Sequence, residues 1–403
     1  MRKPGLMAAA VAVVAASIAA CAARKPVPAR APAPALSRAE AATAAPGPAP
    51  VPAPVARTPE TIPPRDALPR GPAAAGAPGD ELVRAGDEIM VCGRLFHTGA
   101  PVVLWLDPGG YDAYRVERRF ARPEEASWDR SKEKLETPNR YGVRAIPAAL
   151  AESRDEAELA LLRAGSWDLP ALQETVDQFV IHYDAAGTSR TCFRILHDVR
   201  GLSVHFMLDV DGTIYQTLDL KERAWHATVA NDRSVGIEIA NIGAYPERGG
   251  QDGGTPLDQW YARDEDGRAR LTIPARLDGG GIRTPGFAGR PARDEPVTGE
   301  VQGRVYRQFD LTPEQYESLT KLTAALCTVL PRIERDYPRD ASGALATRAL
   351  LPEEFRRHRG LIGHYHIQEN KVDPGPAFQW DRVVEGAREL TAARSAPSDN
   401  QPR

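Results

Sequence analysis

The stretch GHYHIQENKVDPGPAFQW, Gly363 to Trp380, decides how the rest of the chain is read. It sets His364 and His366 nine and seven residues before Asp373, with Lys371 between and a Pro-Gly-Pro turn after. Imidazole and carboxylate are zinc ligands, and a catalytic zinc takes three protein ligands and keeps a fourth position open. One ligand must then come from elsewhere. The run FVIHYDAAGTS, Phe179 to Ser189, offers His182 where an apolar strand meets a small-residue loop. Spacing alone leaves His364 and His366 as rivals, because the chain leaves its strand at about His364.

Between these stretches the sequence reads as alternating strands and helices. Ser203–Leu208 and Thr213–Leu218 flank Asp211-Gly212 as a hairpin. Ala224-Trp225-His226 follows in a loop, and Ser234–Asn241 (SVGIEIAN) is a further strand. Its Glu238 sits between Ile237 and Ile239, and a carboxylate in a buried strand is costly unless it has a partner or a task. A helix from Ser189 to near Gly201 follows the first strand. Residues 246–308 are rich in Gly, Arg and Asp and read as a long insertion with one strand pair, Arg270–Ile273 with Gly303–Tyr306. Thr312-Pro313-Glu314-Gln315 is a capping box that opens a helix with Tyr316, Leu319, Leu322 and Leu326 on one face. Gly360–His364 is a short strand, and Pro376 opens a last helix through Trp380 and Val384.

Upstream, residues 1–21 carry Arg2 and Lys3 and then an apolar, small-residue run ending in Ile18-Ala19-Ala20-Cys21, the pattern of a secretory signal. Residues 22–80 are rich in Ala and Pro and predict a semi-extended spacer that cannot bury a core. In residues 81–171, Asp87–Trp105 reads as two strands about a Thr98-Gly99 turn, and Ser153–Arg163 as a helix capped by Ser153 and Glu156. That region carries no evident chemistry; it reads as a lid, a pendant subdomain or an extension packed on the core. His97 reads as a surface or packing residue at a turn, His197 and His358 as surface residues and His205 as a sheet-packing one. The tail from 393 is polar.

The chain has 403 residues with 51 basic and 54 acidic side chains, a net charge of −3. That balance gives no electrostatic case for nucleic acid as a partner. The four cysteines show no metal-type spacing, and Cys192 and Cys327 could pair in an oxidising compartment.

Three separated motifs now agree: His182 at a strand end, the block Ser203–Asn241, and Gly363–Trp380. Together they resemble the type 2 N-acetylmuramoyl-L-alanine amidases, zinc enzymes related to peptidoglycan recognition proteins. The likeness covers roughly residues 172–242 and 310–390. It implies an α/β domain, about 172–392, with a central mixed β-sheet flanked by helices. It implies one Zn2+ per chain held by His182, His364 and Asp373, so it chooses His364 over His366. Glu238 matches the catalytic carboxylate, and Lys371 the lysine that faces the reacting carbonyl. Trp225, His226 and Asn241 are candidate substrate contacts. The implied reaction is hydrolysis of the amide between N-acetylmuramic acid and L-alanine in peptidoglycan or muropeptides. The rivals are a zinc hydrolase of another stem-peptide amide and a non-catalytic peptidoglycan-binding lipoprotein. The Cys21 motif resembles a bacterial lipobox, which implies a lipid anchor in the cell envelope, at the outer membrane facing the periplasm. The sequence departs from the family in the size of its insertion and in Val204, where some relatives carry tyrosine.

Overall fold

The computed structural model describes residues 83–114, 141–246 and 255–395. The signal segment with Cys21, the Pro/Ala spacer and the tail beyond residue 395 lie outside the described residues.

Glu88–Val91 (β1) and Arg94–His97 (β2) form an antiparallel hairpin about Cys92-Gly93, whose φ angles are 50° and 72°. Two left-handed central residues match the natural twist of paired strands. The turn expected at Thr98-Gly99 leads instead into a third strand, Val102–Leu104 (β3). After Tyr141–Gly142 (β4) come three helices, Ala148–Ser153 (α1), Glu156–Arg163 (α2) and Leu169–Thr175 (α3). Asp155 and Glu158, not Ser153 and Glu156, make the capping box of α2, because Ser153 is still the last residue of α1.

Gln178–Tyr183 (β5) follows, then Ser189–Phe193 (α4), which continues as one π-helical stretch, Arg194–Val199. Thr188 caps it, its side chain accepting from the Thr191 N–H. Phe206–Leu208 (β6), Ile214–Gln216 (β7), Arg223–Ala224 (β8) and Ser234–Ile239 (β9) come next. The insertion supplies Tyr245–Pro246 (β10), Pro256–Trp260 (α5), Tyr261–Arg263 (β11), Ala269–Leu271 (β12), Val297–Val301 (β13) and Arg304–Gln308 (β14). It therefore holds two hairpins, β11–β12 and β13–β14, rather than one pairing of residues 270–273 with 303–306. Each pair closes on its own glycine turn, Gly267 or Gly303, both with positive φ.

Pro313–Val329 (α6), Pro352–Arg357 (α7), Gly360–Gly363 (β15), the short turn of helix His364–Ile367 (α8) and Trp380–Ser395 (α9) complete the chain. Helix α9 begins at Trp380, not Pro376. Gln308 holds the preceding turn by donating to the Pro374 carbonyl and accepting from the Ala377 N–H. It also runs to Ser395, past the expected start of the tail.

The central sheet has six strands in the order β15-β5-β9-β6-β7-β3, all neighbours parallel except β6–β7. Strand β5 is buried on both faces, with Phe179, Val180 and Ile181 fully enclosed, as a central parallel strand requires. Helices α6 and α9 pack together through Leu319, Leu322, Val383 and Val384 in the main core.

The sheet does not begin near Leu172. Its edge strand β3 comes from upstream and pairs with β7. The β1–β2 hairpin is clamped to the same place: Met90 exchanges two hydrogen bonds with Gln216, and the Cys92 and Gly93 N–H groups donate to the Asp219 carboxylate. Arg144 is buried and donates to the carbonyls of Leu220, Asn231 and Asp232. Cys92, Cys192 and Cys327 are free thiols, so the pairing of Cys192 with Cys327 does not form.

Candidate metal centre and catalytic pocket

The register of β15 against β5 aligns Gly363 with Ile181. The next residue of each strand is therefore His364 beside His182, at the C-terminal end of the sheet. Asp373 returns to the same point: its Oδ2 lies 2.8 Å from His182 Nδ1 and 3.0 Å from His364 Nδ1. The two Nδ1 atoms are 3.0 Å apart. His366 is not in this group. The chain turns helical at His364, so two residues on it has rotated about 200°. It accepts from the Gly363 N–H and contacts the Ala346 carbonyl, a packing role.

The far nitrogens explain why both rings present Nδ1. His364 Nε2 lies 2.8 Å from Gln368 Oε1, and His182 Nε2 lies 3.0 Å from His226 Nδ1. His226 in turn directs Nε2 toward Ser234 Oγ at 3.3 Å. With each Nε2 donating outward, both Nδ1 atoms are lone pairs. Two lone pairs and a carboxylate oxygen within about 3 Å repel unless a cation lies among them, and N,N,O is a donor set that zinc accepts. The residues present therefore fit a metal ion. Burial pushes the His182 imidazole down to about 4, with His364 beside it adding to the effect, which keeps it neutral.

Glu238 stands directly across from His182 in the β5–β9 register and lines the same cavity. Burial, then the charge of Asp373, raise its carboxyl well above its ordinary value. Lys371 is 5% exposed and lines the cavity from the loop that carries Asp373. The opposite wall is apolar, formed by Ala185, Cys192, Leu196 and Leu202. The arrangement thus sets a metal-type donor triad, a protonatable carboxylate and an ammonium around one cavity with a dry side.

The three candidate substrate contacts fare differently. His226 reaches the cavity wall but is buried behind His182, with its ring over Gly236, where any Cβ would lie 2.4 Å from it. Trp225 is absent from the cavity lining. Asn241 is buried and bonds Phe309, Gly243 and Gln308, so it ties the end of the insertion to the sheet. His205 packs in the sheet as expected, accepting from the Gly236 N–H. His197 is not a surface residue: it is buried, stacked on Phe193 and hydrogen-bonded to Asp198. Sequence reasoning missed Gln368 and Gln308. Gln368 was findable as the residue four on from His364, one helical turn away; nothing local marks Gln308.

The N-acetylmuramoyl-L-alanine amidase family profile matches residues 172–376, half of the chain. No curated protein matches at a significant level. Among solved structures, a selenomethionine derivative of AmpD is similar at 21% identity over 53% of this chain and 86% of that one, with a TM-score of 0.26. The endolysin amidase LysCS from Clostridium intestinale is similar at 15% identity, 54% and 86% coverage and a TM-score of 0.28. AmiD from E. coli, in complex with anhydro-N-acetylmuramic acid-L-Ala-D-gamma-Glu-L-Lys, is similar at 19% identity, 52% and 57% coverage and a TM-score of 0.28. By the extent of the family match, the chain belongs to the N-acetylmuramoyl-L-alanine amidases, hydrolases of that sugar–peptide amide.

Proposed function

We propose that the chain is a zinc-dependent amidase in which His182, His364 and Asp373 hold one Zn2+. The observation that carries this reading is the convergence of two imidazole lone pairs and one carboxylate oxygen within 3.0 Å, beside Glu238. When bound, zinc supplies Lewis acidity that makes water a nucleophile near neutral pH. Glu238 takes the proton that the attacking water loses and delivers it to the L-alanine nitrogen as the C–N bond breaks. Its raised carboxyl suits that two-way transfer. Lys371 donates to the carbonyl oxygen as negative charge grows there, a contribution of roughly 3 kcal/mol for one well-placed donor. The lactyl carboxylate stays on the sugar and the stem peptide leaves with a free amino terminus.

We also propose a location, from the sequence upstream of the domain. Residues 1–21 end in a lipobox-like Cys21, and a Pro/Ala spacer then gives reach from a lipid anchor to the cell wall. In this reading the protein is an envelope lipoprotein that remodels or recycles peptidoglycan. A Cys21→Ser form recovered with the membrane fraction would overturn the anchor.

The direct test is to purify the chain without chelator, determine its metal, and incubate it with sacculi and with soluble muropeptides. Peptides with N-terminal alanine, detected by mass spectrometry and lost in Glu238→Ala, support the amidase. Fragments cut at another stem-peptide bond would replace it, and one zinc per chain without cleavage of either substrate would leave a binding protein.

A further inference from the structure

The catalytic cavity does not end at Lys371. Asn370, Lys371 and Val372 form its rim, and the same three residues line a second cleft of about 1020 Å3 on the far side of that loop. The opposite wall of this cleft is the insertion hairpin β13–β14. Side chains alternate along a strand, so Arg304, Tyr306 and Gln308 share one face of β14. Gln308 bonds the Pro374 carbonyl and Tyr306 lines the cleft, so that face looks toward the Asp373 loop. Arg304 lines the cleft too.

The hairpin is fixed at that distance. At its tip, Gln302 donates to the carbonyls of Tyr365 and Gln368 and accepts from the Ala349 N–H. In its middle, Gly299 lies so close to Pro376 that a Cβ there would be 2.7 Å from the ring. Arg304 therefore stands on a rigid ribbon, and it makes no ion pair with any described residue. The cleft's second guanidinium, Arg348, is already engaged by both oxygens of Glu354 at 2.9 Å. Glu369 also lines the cleft without an ion-pair partner among the described residues, so the anion site is local to Arg304 rather than spread along the wall.

We propose that this cleft receives the peptide arm of the substrate and that Arg304 binds a carboxylate of the stem peptide. The inference rests on the amidase reading above. Its direction follows from the chemistry of the substrate's two arms. The lactyl carboxyl of the muramic acid is consumed in the scissile amide, which leaves that glycan arm without an anion. The peptide arm ends in a free carboxylate. A guanidinium one loop away from the reacting bond, with no ion pair to any described residue, matches the second arm and not the first. Arg304 is a specificity-determining residue in this account, and the insertion sets which stem peptides the enzyme prefers.

The experiment compares KM and kcat for a muramoyl tripeptide with free carboxyl groups and for the same compound with those groups amidated. Wild type, Arg304→Gln and Arg304→Lys are measured at low salt. Wild type prefers the free acid by about fivefold in KM, the scale of a partly exposed ion pair. Arg304→Gln removes the preference by raising KM for the acid, and Arg304→Lys restores part of it. An undiminished preference in Arg304→Gln, or no preference in wild type, overturns the proposal while the amidase reading stands. Cleavage of neither compound by wild type would sink that reading and this one with it.

Discussion

His182 Nε2 lies 3.0 Å from Nδ1 of His226, and this contact sets which nitrogen of His182 faces Asp373. His226 is itself held: its ring fits over Gly236, and Asn231 Oδ1 accepts from the N–H groups of His226 and Ala227. Removing the ring frees His182 to take the other tautomer. His226→Ala should weaken zinc binding about 10- to 100-fold, read by competition with a chromophoric chelator. Gln368→Ala should act on His364 in the same way and with a similar size, because its Oε1 accepts from His364 Nε2. Unchanged affinity in both would show that the outward contacts do not orient the rings.

Glu238 and Lys371 should separate chemistry from metal binding. Neither belongs to the triad that closes within 3.0 Å. Glu238→Gln should keep full zinc content and lose activity by about 10²–10⁴-fold. Lys371→Met should lose about 10²–10³-fold. Metal analysis beside turnover on one muropeptide decides the matter. Loss of zinc in Glu238→Gln would make the carboxylate a ligand or a structural partner instead of the proton carrier.

The sheet strands β5 and β9, the helix α6 and the chemistry of Gly363–Asp373 were legible because each rests on local pattern. Apolar runs mark buried strands, Thr312 and Gln315 mark a helix start, and unlike ligands at short spacing mark a site. What was not legible depends on contacts between distant segments. The choice of His364 over His366 comes from the chain turning helical at the end of β15, which spacing cannot reveal. The ties of Asn241 to Gln308 of the insertion and to Phe309 just after it join segments far apart in sequence. The part that the upstream region plays in the sheet was not legible, because strands β1 to β3 are only three or four residues long and nothing local marks Arg144 as a buried cation.

Arg144 makes the upstream region part of the site's support. Its guanidinium satisfies three carbonyls on either side of the loop that carries His226. Burial lowers its pKa to about 10, so it stays charged at neutral pH. Arg144→Met removes those donors and leaves buried carbonyls unpaired, a loss of roughly 3 kcal/mol. Urea unfolding measures it. The same variant should bind zinc more weakly, since the His226 loop loses its anchor. A shortened chain beginning at residue 172 lacks β3 and Arg144 and should not fold to a cooperative state.

Stability should fall as the solution is made more alkaline, through two buried carboxyls. Asp184 accepts three backbone N–H groups at Oδ1 but has no partner for Oδ2, and burial pushes it up from 3.8 to about 8. Asp209, also without a partner at Oδ2, is pushed up by burial to about 7. Both are protonated in the folded chain and ionised in the unfolded one between those limits. The folded state then binds more protons, so the stability they confer is full below pH 3.8 and is lost as pH rises through about 7 to 8. Each group contributes a slope of up to about 1.4 kcal/mol per pH unit in its window. Asp184→Asn keeps the Oδ1 acceptor and cannot ionise, so its urea midpoint should decline less steeply than wild type between pH 5 and pH 8. Parallel declines in the two proteins would mean that Asp184 is ionised in the fold and that a cation or water satisfies its second oxygen.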